Sequence, residues 1–229
     1  MKSKIIYFGH SAFGIGMDKE RIIIDPFLDD NPLSPITADQ CTAKYILVTH
    51  GHHDHLGDTI KIAKKNNALV IAPFEITQYV SAHGVKNVCP MNIGGSRHFD
   101  FGEIKMVLAM HSSSIVEGDK IIYAGNPCGY VLKIGDFNIY HAGDTGLFLN
   151  MELIGGQTWI DVAILPIGDT YTMGIHDAVV ATKFLHPTVV IPMHYNTWDE
   201  IKVDVEKFRK GIENETNAKC IILKPGEGY

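Results

Sequence analysis

Tyr45-Ile-Leu-Val-Thr-His50-Gly-His52-His53-Asp54-His55-Leu-Gly57 is the stretch of sequence that decides the fold. The apolar residues 45–49 predict a buried strand, which ends abruptly in four histidines and one aspartate within six residues. Packing four imidazoles and a carboxylate together is costly unless they bind something, and neutral imidazole with carboxylate is a ligand set for transition metals. A surface cluster of titratable side chains is the alternative interpretation.

The spacing within this stretch predicts a mechanism as well as a ligand set. His50 and His52 project in one direction from the extended end of the strand, because they are two residues apart. Asp54 and His55 follow on the turn into a helix and are displaced from the first pair. One metal ion can take His50 and His52, and a second, adjacent ion can take Asp54 and His55.

Length and composition indicate one globular domain over residues 1–229. The chain has 45% hydrophobic and 20% charged residues, which is ordinary for a protein with a sizeable core. Its net charge of −6 argues against a surface that binds nucleic acid, because no basic face is evident to offset phosphate charge. Twelve histidines are the compositional oddity, and they also suggest metal binding.

The four cysteines, Cys41, Cys89, Cys128 and Cys220, show no paired spacing and predict reduced thiols rather than a disulfide framework. The chain begins with a strand at residues 4–8, without the charged and apolar regions of a signal peptide and without a run long enough to span a bilayer. We therefore expect a cytoplasmic protein with no membrane partner.

Three later strands also end in residue types that bind metals. They are predicted over residues 103–110, 137–141 and 188–193, and the side chains that follow them are His111, Asp144 and His194. Helices are predicted at 176–185 and from a cap at Asp199 to about residue 213, and a last strand at 219–223. The alternation of strands, hairpins and helices favours a mixed α/β (α+β) fold.

These motifs resemble the metallo-β-lactamase superfamily, in the order His-x-His-x-Asp-His, His111, Gly143-Asp144-Thr145 and Pro192-Met193-His194. Further stretches resemble its branch of small prokaryotic metal-dependent hydrolases, relatives of the ascorbate-6-phosphate lactonase. They are Gly9-His10-Ser11, Asn92-Ile-Gly-Gly95, Gly125-Asn-Pro-Cys-Gly129 and Ile191-Pro-Met-His-Tyr-Asn196. His176 departs from the branch, which is expected to have an acid there.

The resemblance implies a four-layer αββα sandwich, with two mixed sheets face to face and helices outside. It implies a first metal held by His50, His52 and His111, and a second held by Asp54, His55 and His194. Asp144 would bridge the two, because a carboxylate has two oxygens. The cofactors are then two divalent ions, with Zn²⁺ expected first and Mn²⁺ or Fe²⁺ as alternatives.

Some residues of the site have expected roles besides holding a metal. Asp54 and His10 are the two candidates for protonating the leaving group, and the sequence does not choose between them. Asp25, which ends the strand at 22–24, is either a support for the metal loop through hydrogen bonds or simply a turn acid.

The expected activity is metal-dependent hydrolysis by metal-bound hydroxide, on a lactone, another ester or a phosphoester of a small metabolite. A phosphodiesterase or nuclease acting on nucleotides is one alternative, and a metal-dependent binding or regulatory module without turnover is another. The expected partner is a small-molecule substrate, not nucleic acid. The loop over residues 28–42 is either part of a cleft rim or a contact in a homo-oligomer.

Overall fold

The computed structural model describes residues 4–17 and 20–229. The sequence predicts a turn between two strands around Asp18-Lys19-Glu20, and this turn falls mainly outside the described residues. The chain divides into two compact units. Unit 1 comprises residues 1–93, 112–127 and 224–229, and unit 2 comprises residues 94–111 and 128–223. The single domain expected from the sequence stays a prediction.

Unit 1 contains a six-stranded mixed sheet, a two-stranded hairpin and three helices. The strands of the six-stranded sheet, in spatial order, are β1 (Lys4–Gly9), β2 (Ala12–Met17), β3 (Glu20–Ile24), β4 (Tyr45–Leu47), β5 (Leu69–Pro73) and β6 (Val88–Met91). The helices are α1 (His53–Leu56), α2 (Thr59–Asn66) and α3 (Phe74–Ala82), and the hairpin consists of β9 (Ser114–Glu117) and β10 (Lys120–Tyr123).

The direction of these strands determines where the polar side chains of unit 1 collect. β3, β4, β5 and β6 are parallel, whereas β2 is antiparallel to both β1 and β3. β1 therefore runs in the same direction as β3 and β4. The residues that follow these three strands, at 10, 25 and 48–55, accordingly lie at one edge of the sheet, where the carboxyl ends of parallel strands form sites.

The core of unit 1 fixes this edge by burying apolar side chains from strands and helices alike. Ile46 and Val48 lie in one buried cluster with Ile62 of α2 and Ile76 of α3. Ile115 of the β9–β10 hairpin belongs to the same cluster. A fully buried aliphatic side chain contributes roughly 1.5–3 kcal/mol, so the strand that carries the histidine motif is held firmly.

Unit 2 contains a seven-stranded mixed sheet with helices. In spatial order its strands are β15 (Lys219–Cys220), β14 (Val189–Met193), β13 (Val162–Pro166), β12 (Phe137–His141), β11 (Cys128–Ile134), β8 (Gly102–Leu108) and β7 (Ser96–Phe99). Its helices are α4 (Asn150–Gln157), α5 (Ile175–Leu185) and α6 (Val205–Glu215), with a 3₁₀ turn at Asp199–Ile201.

The same rule of strand direction applies in unit 2. β12, β13, β14 and β15 are parallel, and β11 is antiparallel to both β8 and β12. β8 therefore shares the direction of β12 and β14. The segments that follow them carry His111, Asp144 and His194 to one edge of this sheet.

The strands predicted over residues 103–110, 137–141 and 188–193 are present as β8, β12 and β14. The predicted cap of the last helix is wrong, because Asp199 lies in a 3₁₀ turn and α6 begins six residues later. Asp204 caps α6, since its side chain accepts a hydrogen bond from the Glu206 amide at 3.1 Å. The β9–β10 hairpin and α4 were not predicted. Within residues 4–17 and 20–229, no helix combines the length and apolar character needed to cross a bilayer.

Candidate metal centre

Three polar side chains of unit 1 converge at the carboxyl edge of its sheet. The Nε2 atom of His10 lies 2.9 Å from Oδ2 of Asp54, and Nε2 of His55 lies 3.6 Å from the same oxygen. Potential ligand atoms of all three lie within 4.8 Å of one another. His10 adopts a left-handed backbone conformation with φ of 56°, and its side chain is fully buried.

The Asp25 carboxylate joins residues at this edge of the sheet through hydrogen bonds. Its Oδ1 accepts the Thr49 amide at 2.8 Å, and its Oδ2 accepts the Thr49 hydroxyl at 2.7 Å. The same Oδ2 lies 2.8 Å from Nδ1 of His55, and both side chains are fully buried. A carboxylate at Nδ1 favours the imidazole tautomer with its proton there, so Nε2 of His55 is left as the atom that can bind a cation.

His50 and His52 form a second convergence in unit 1. Nε2 of His50 lies 3.0 Å from Nδ1 of His52, and the Thr49 hydroxyl lies 3.0 Å from Nδ1 of His50. Two imidazole nitrogens at this separation can share one proton or can bind one cation. The Ser113 hydroxyl accepts the Gly51 amide at 3.1 Å and so fixes the backbone between the two histidines.

The backbone after the motif is held by close contacts with the Pro26–Asp29 loop. Gly57 has φ of 42°, and a Cβ there would lie 2.5 Å from the Pro26 carbonyl oxygen, so only glycine fits. Oδ2 of Asp58 accepts the amides of Leu28 and Asp29, each at 2.9 Å. Burial raises the pKa of Asp58 above its usual value, against the effect of these two hydrogen bonds.

Unit 2 supplies a separate cluster centred on Asp144. Oδ2 of Asp144 lies 2.9 Å from Nε2 of His194 and 3.6 Å from Nε2 of His111. Asp144 and His194 are buried, and His111 is partly exposed. His194 has φ of 54°, and Gly168 permits this turn because a Cβ at residue 168 would lie 2.2 Å from the His194 carbonyl oxygen.

Hydrogen bonds lock the segments that carry these residues to one another. The Met110 amide donates to the Thr145 hydroxyl at 3.0 Å, and the Gly146 amide donates to the Met110 carbonyl at 3.0 Å. The Met173 amide donates to the Thr145 carbonyl at 2.9 Å. His111 and Asp144 are each adjacent in sequence to one of these bonded residues, so their positions are set by the backbone.

The donor set in each unit fits divalent metal ions. Both clusters combine imidazole nitrogens with carboxylate oxygens at separations of 2.9–3.6 Å. Cations are the partners that such buried groups require. Zn²⁺, Mn²⁺ and Fe²⁺ all accept nitrogen and oxygen ligands, so the donor set does not distinguish them.

The predicted metal-ligand and catalytic residues that lie in the same unit are close to one another in the structure. His10, His50, His52, Asp54 and His55 converge in unit 1, and His111, Asp144 and His194 converge in unit 2. The role of Thr49 was missed, although a hydroxyl directly before the first histidine was a usable signal. His176 has a largely exposed side chain, 3.4 Å from its neighbour Asp177, so the departure from the branch pattern lies at a helix surface.

Comparison with known proteins identifies the family. The profile described as "Beta-lactamase superfamily domain" matches residues 4–194. The chain belongs to the metallo-β-lactamase superfamily. A UPF0173 metal-dependent hydrolase from Heliobacterium modesticaldum is 46% identical, with 97% of this chain and 95% of the relative covered. The chain is therefore a metal-dependent hydrolase of this superfamily.

Solved structures agree with this membership. A metallo hydrolase from the archaeon Ignicoccus hospitalis is 38% identical and superposes with a TM-score of 0.89, covering 99% of this chain and 97% of the other. A metallo-β-lactamase fold protein from Bacillus subtilis superposes with a TM-score of 0.75 at 12% identity, with 100% of both chains covered. The second likeness shows the fold alone, and the fold class expected from the sequence is confirmed.

Proposed function

We propose that this superfamily member hydrolyses a lactone, another ester or a phosphoester of a small metabolite with the help of two divalent metal ions. One observation carries the proposal. A single carboxylate oxygen, Oδ2 of Asp144, lies 2.9 Å from one histidine nitrogen and 3.6 Å from another. A carboxylate shared between two imidazoles is suited to hold two adjacent cations, which is the arrangement used in two-metal hydrolysis.

In this proposal the first ion is held by His50, His52 and His111, and the second by Asp54, His55 and His194. Asp144 binds both. The proposal is supported within unit 1 by two separate convergences, one at His50 and His52 and one at Asp54 and His55. Zn²⁺ is the expected metal, and Mn²⁺ and Fe²⁺ are the alternatives that share its ligand types.

Divalent cations would supply a water of lowered pKa and a Lewis acid for the carbonyl or phosphoryl oxygen. The side chains supply orientation and proton transfer. Asp25 fixes the ring of His55, and Thr49 fixes the ring of His50. These contacts remove rotamer freedom before substrate arrives, which lowers the cost of reaching the reactive geometry.

The pair formed by His10 and Asp54 is suited to protonate the leaving group. Their 2.9 Å contact joins a buried imidazole to a partly exposed carboxylate. A proton shared along this contact is available at the Asp54 oxygen, which is the member that reaches solvent. In this proposal His10 and Asp54 act as one unit in protonating the leaving group, a role that the sequence left to either of them.

Hydrolysis assays with the metal-loaded protein test this function. The panel consists of 4-nitrophenyl acetate, γ-butyrolactone and bis(4-nitrophenyl) phosphate, with the Asp144→Asn variant beside the native protein. We expect Asp144→Asn to lower kcat/KM by at least about 100-fold on whichever substrates are hydrolysed. Asp136→Asn, at an exposed turn of unit 2, is the matched control and should leave the rate unchanged.

The panel also separates the alternatives. Hydrolysis of the phosphodiester alone would replace the ester and lactone assignment by a nucleotide phosphodiesterase. Metal binding without turnover of any substrate would favour a binding module. For the proton donor, His10→Gln should slow phenyl acetate much more than 4-nitrophenyl acetate, because only the poorer leaving group needs protonation. Equal slowing of the two esters would remove His10 from that role.

A further inference from the structure

A cavity of about 560 Å³ lies in unit 2 beside the indole ring of Trp159. This volume is within the range of sites that bind small organic ligands. Pro187 and Ala218 also line the cavity, and because both are buried they give it an apolar floor. Trp159 is 70% exposed, so most of its ring is available to a ligand.

The cavity lies at the edge of the unit 2 sheet opposite to the metal-ligand candidates. Trp159 and Thr188 line it, and they come shortly before β13 and β14. His194 directly follows β14, and Asp144 follows the parallel strand β12. Since the five residues of β14 span about 17 Å, the cavity and the Asp144 cluster are separate sites.

Hydrogen bonds hold the backbone that presents Trp159. The Trp159 carbonyl accepts a hydrogen bond from the Asn138 side-chain amide at 2.8 Å. The carbonyl of the next residue, Ile160, accepts one from the Thr188 amide at 3.0 Å. A ring on a fixed backbone has only two torsions to lose when it binds a ligand, so contact with Trp159 carries a small entropic cost.

Three helices of unit 2 end at this cavity. α4 ends at Gln157, α5 at Leu185 and α6 at Glu215, and residues within three positions after each end line the cavity. α4 and α5 meet there, since a Cβ on Gly155 would lie 2.6 Å from the carbonyl oxygens of Phe184 and Leu185. The last carbonyls of a helix carry partial negative charge, so three helix ends favour a positively charged ligand.

The charged side chains that line the cavity offset one another. Nζ of Lys183 lies 2.7 Å from Oε2 of Glu215. The hydrogen bond from Lys183 lowers the pKa of the Glu215 carboxyl, so this group is ionised at neutral pH. His186 also lines the cavity, and an ordinary histidine is uncharged at pH 8. The partial charges of the helix ends therefore favour a cation over an anion.

We propose that this cavity binds an organic ammonium ion, whose charged group lies over the Trp159 indole and whose apolar part packs against Pro187 and Ala218. Cations are attracted to the face of an aromatic ring, and tryptophan attracts them most strongly. The ion also interacts favourably with the partial charges of the three helix ends. The site goes beyond the proposed hydrolysis and does not depend on it, because it lies at the opposite edge of the sheet.

Tryptophan fluorescence at pH 8 is the first test. Trp159 and Trp198 are the two tryptophans of the chain, so Trp198→Phe leaves Trp159 as the single indole. Choline should change its emission, with half-saturation at about 10 mM or lower. The neutral molecule of the same shape, 3,3-dimethylbutan-1-ol, should bind at least about fivefold more weakly. Benzyltrimethylammonium should bind about tenfold more tightly than choline, because its phenyl ring covers the apolar floor, and phenylacetate should not bind.

Saturation-transfer NMR on the methyl protons of choline is the second test, and it needs no tryptophan. The signal should be present with the native protein and with Trp198→Phe, and it should be lost with Trp159→Leu. The urea unfolding midpoint checks that Trp159→Leu is folded, as expected for a change at an exposed side chain. Glu215→Gln should weaken choline binding by at least about threefold, because it leaves the charge of Lys183 without its counter-ion. Glu213→Gln is the matched control, since Glu213 is exposed on the same helix but does not line the cavity.

The outcomes separate this site from the metal centre. Choline binding that persists in Asp144→Asn, in which hydrolysis is lost, would support a separate site. Loss of binding in Asp144→Asn with retention in Trp159→Leu would place the ion in the metal-ligand cluster and overturn the inference. Equal affinities for choline and 3,3-dimethylbutan-1-ol would overturn the choice of a cation. Unchanged Trp159 emission with both ammonium ions would overturn the site itself.

Discussion

Replacing Asp25 by asparagine tests how the histidine motif is held. Asp25 has a left-handed backbone with φ of 46°, which asparagine tolerates as well as aspartate does, so the change should not strain the chain. The carboxylate has three neighbours, which are the amide and hydroxyl of Thr49 and Nδ1 of His55. In the preferred tautomer of His55, all three neighbours are donors, and an asparagine side chain can satisfy only some of them.

The magnitude follows from these contacts. In the less costly orientation of the asparagine side chain, its oxygen takes the position of Oδ2. Its NH₂ group then faces the backbone N–H of Thr49. One buried backbone donor then loses its acceptor, which costs about 1–3 kcal/mol, and two charge-assisted hydrogen bonds become neutral ones of roughly half the strength. We expect Asp25→Asn to lower the free energy of unfolding by about 2–4 kcal/mol and metal affinity by about 10–100-fold.

Urea unfolding of the chelated protein and competition with a chromophoric chelator measure these two quantities. Asp39→Asn is the control, because its carboxylate is exposed and makes a surface ion pair with Lys61 at 3.0 Å. We expect that control to change the free energy of unfolding by less than about 0.5 kcal/mol and to leave metal affinity unchanged. Equal metal affinities for Asp25→Asn and Asp39→Asn would refute the role assigned to Asp25.

Two substitutions and one labelling experiment test the surrounding fold. Gly57→Ala should lower the free energy of unfolding by about 3 kcal/mol, measured in urea, because its Cβ would lie 2.5 Å from the Pro26 carbonyl oxygen. Asp204→Ala should cost about 1 kcal/mol in the same assay, because it removes the cap of α6. Burial raises the pKa of Cys41 to about 11 and that of Cys220 to about 12. Iodoacetamide at pH 7.5 should therefore label these thiols in the native protein far more slowly than in urea, by mass spectrometry.

Each of these predictions has a result that would contradict it. Gly118→Ala is the glycine control, since its φ is also positive but a Cβ there meets open space, and a cost equal to that of Gly57→Ala would remove the steric argument. An unchanged unfolding midpoint in Asp204→Ala would show that the cap is not needed. Rapid native alkylation of Cys41 would show that this thiol is not held in an apolar environment.

The ends of strands were the most predictable part of the molecule. His111, Asp144 and His194 each follow an apolar run, and the run alone places them at the end of a strand. Whether two strand ends share an edge depends on strand direction, which no local pattern reports. β1 runs in the same direction as β3 because the antiparallel strand β2 lies between them. β8 runs in the same direction as β12 because the antiparallel strand β11 lies between them.

Contacts between distant residues were less predictable. The sequence left Asp25 as either a turn acid or a support, and only its 2.8 Å approach to His55 makes it a support. The β9–β10 hairpin was missed because it is short, and its Val116 and Ile121 are exposed instead of alternating with polar residues. The predicted start of the last helix lies too early in the chain. Both Asp199 and Asp204 are suitable N-cap residues, and the 3₁₀ turn between them has no distinct sequence pattern.

The most direct test of the central claim is the number of metal ions per chain, measured by inductively coupled plasma mass spectrometry on the purified, untagged protein. His50→Ala and His194→Ala remove one candidate ligand from each unit. His53→Ala is the matched control from the same motif, because its side chain is 75% exposed and lies 3.3 Å from Asp30. The proposal predicts about two equivalents in the native protein and in His53→Ala, and fewer in the other two variants. One equivalent that survives both ligand substitutions, or no metal after reconstitution, would contradict it.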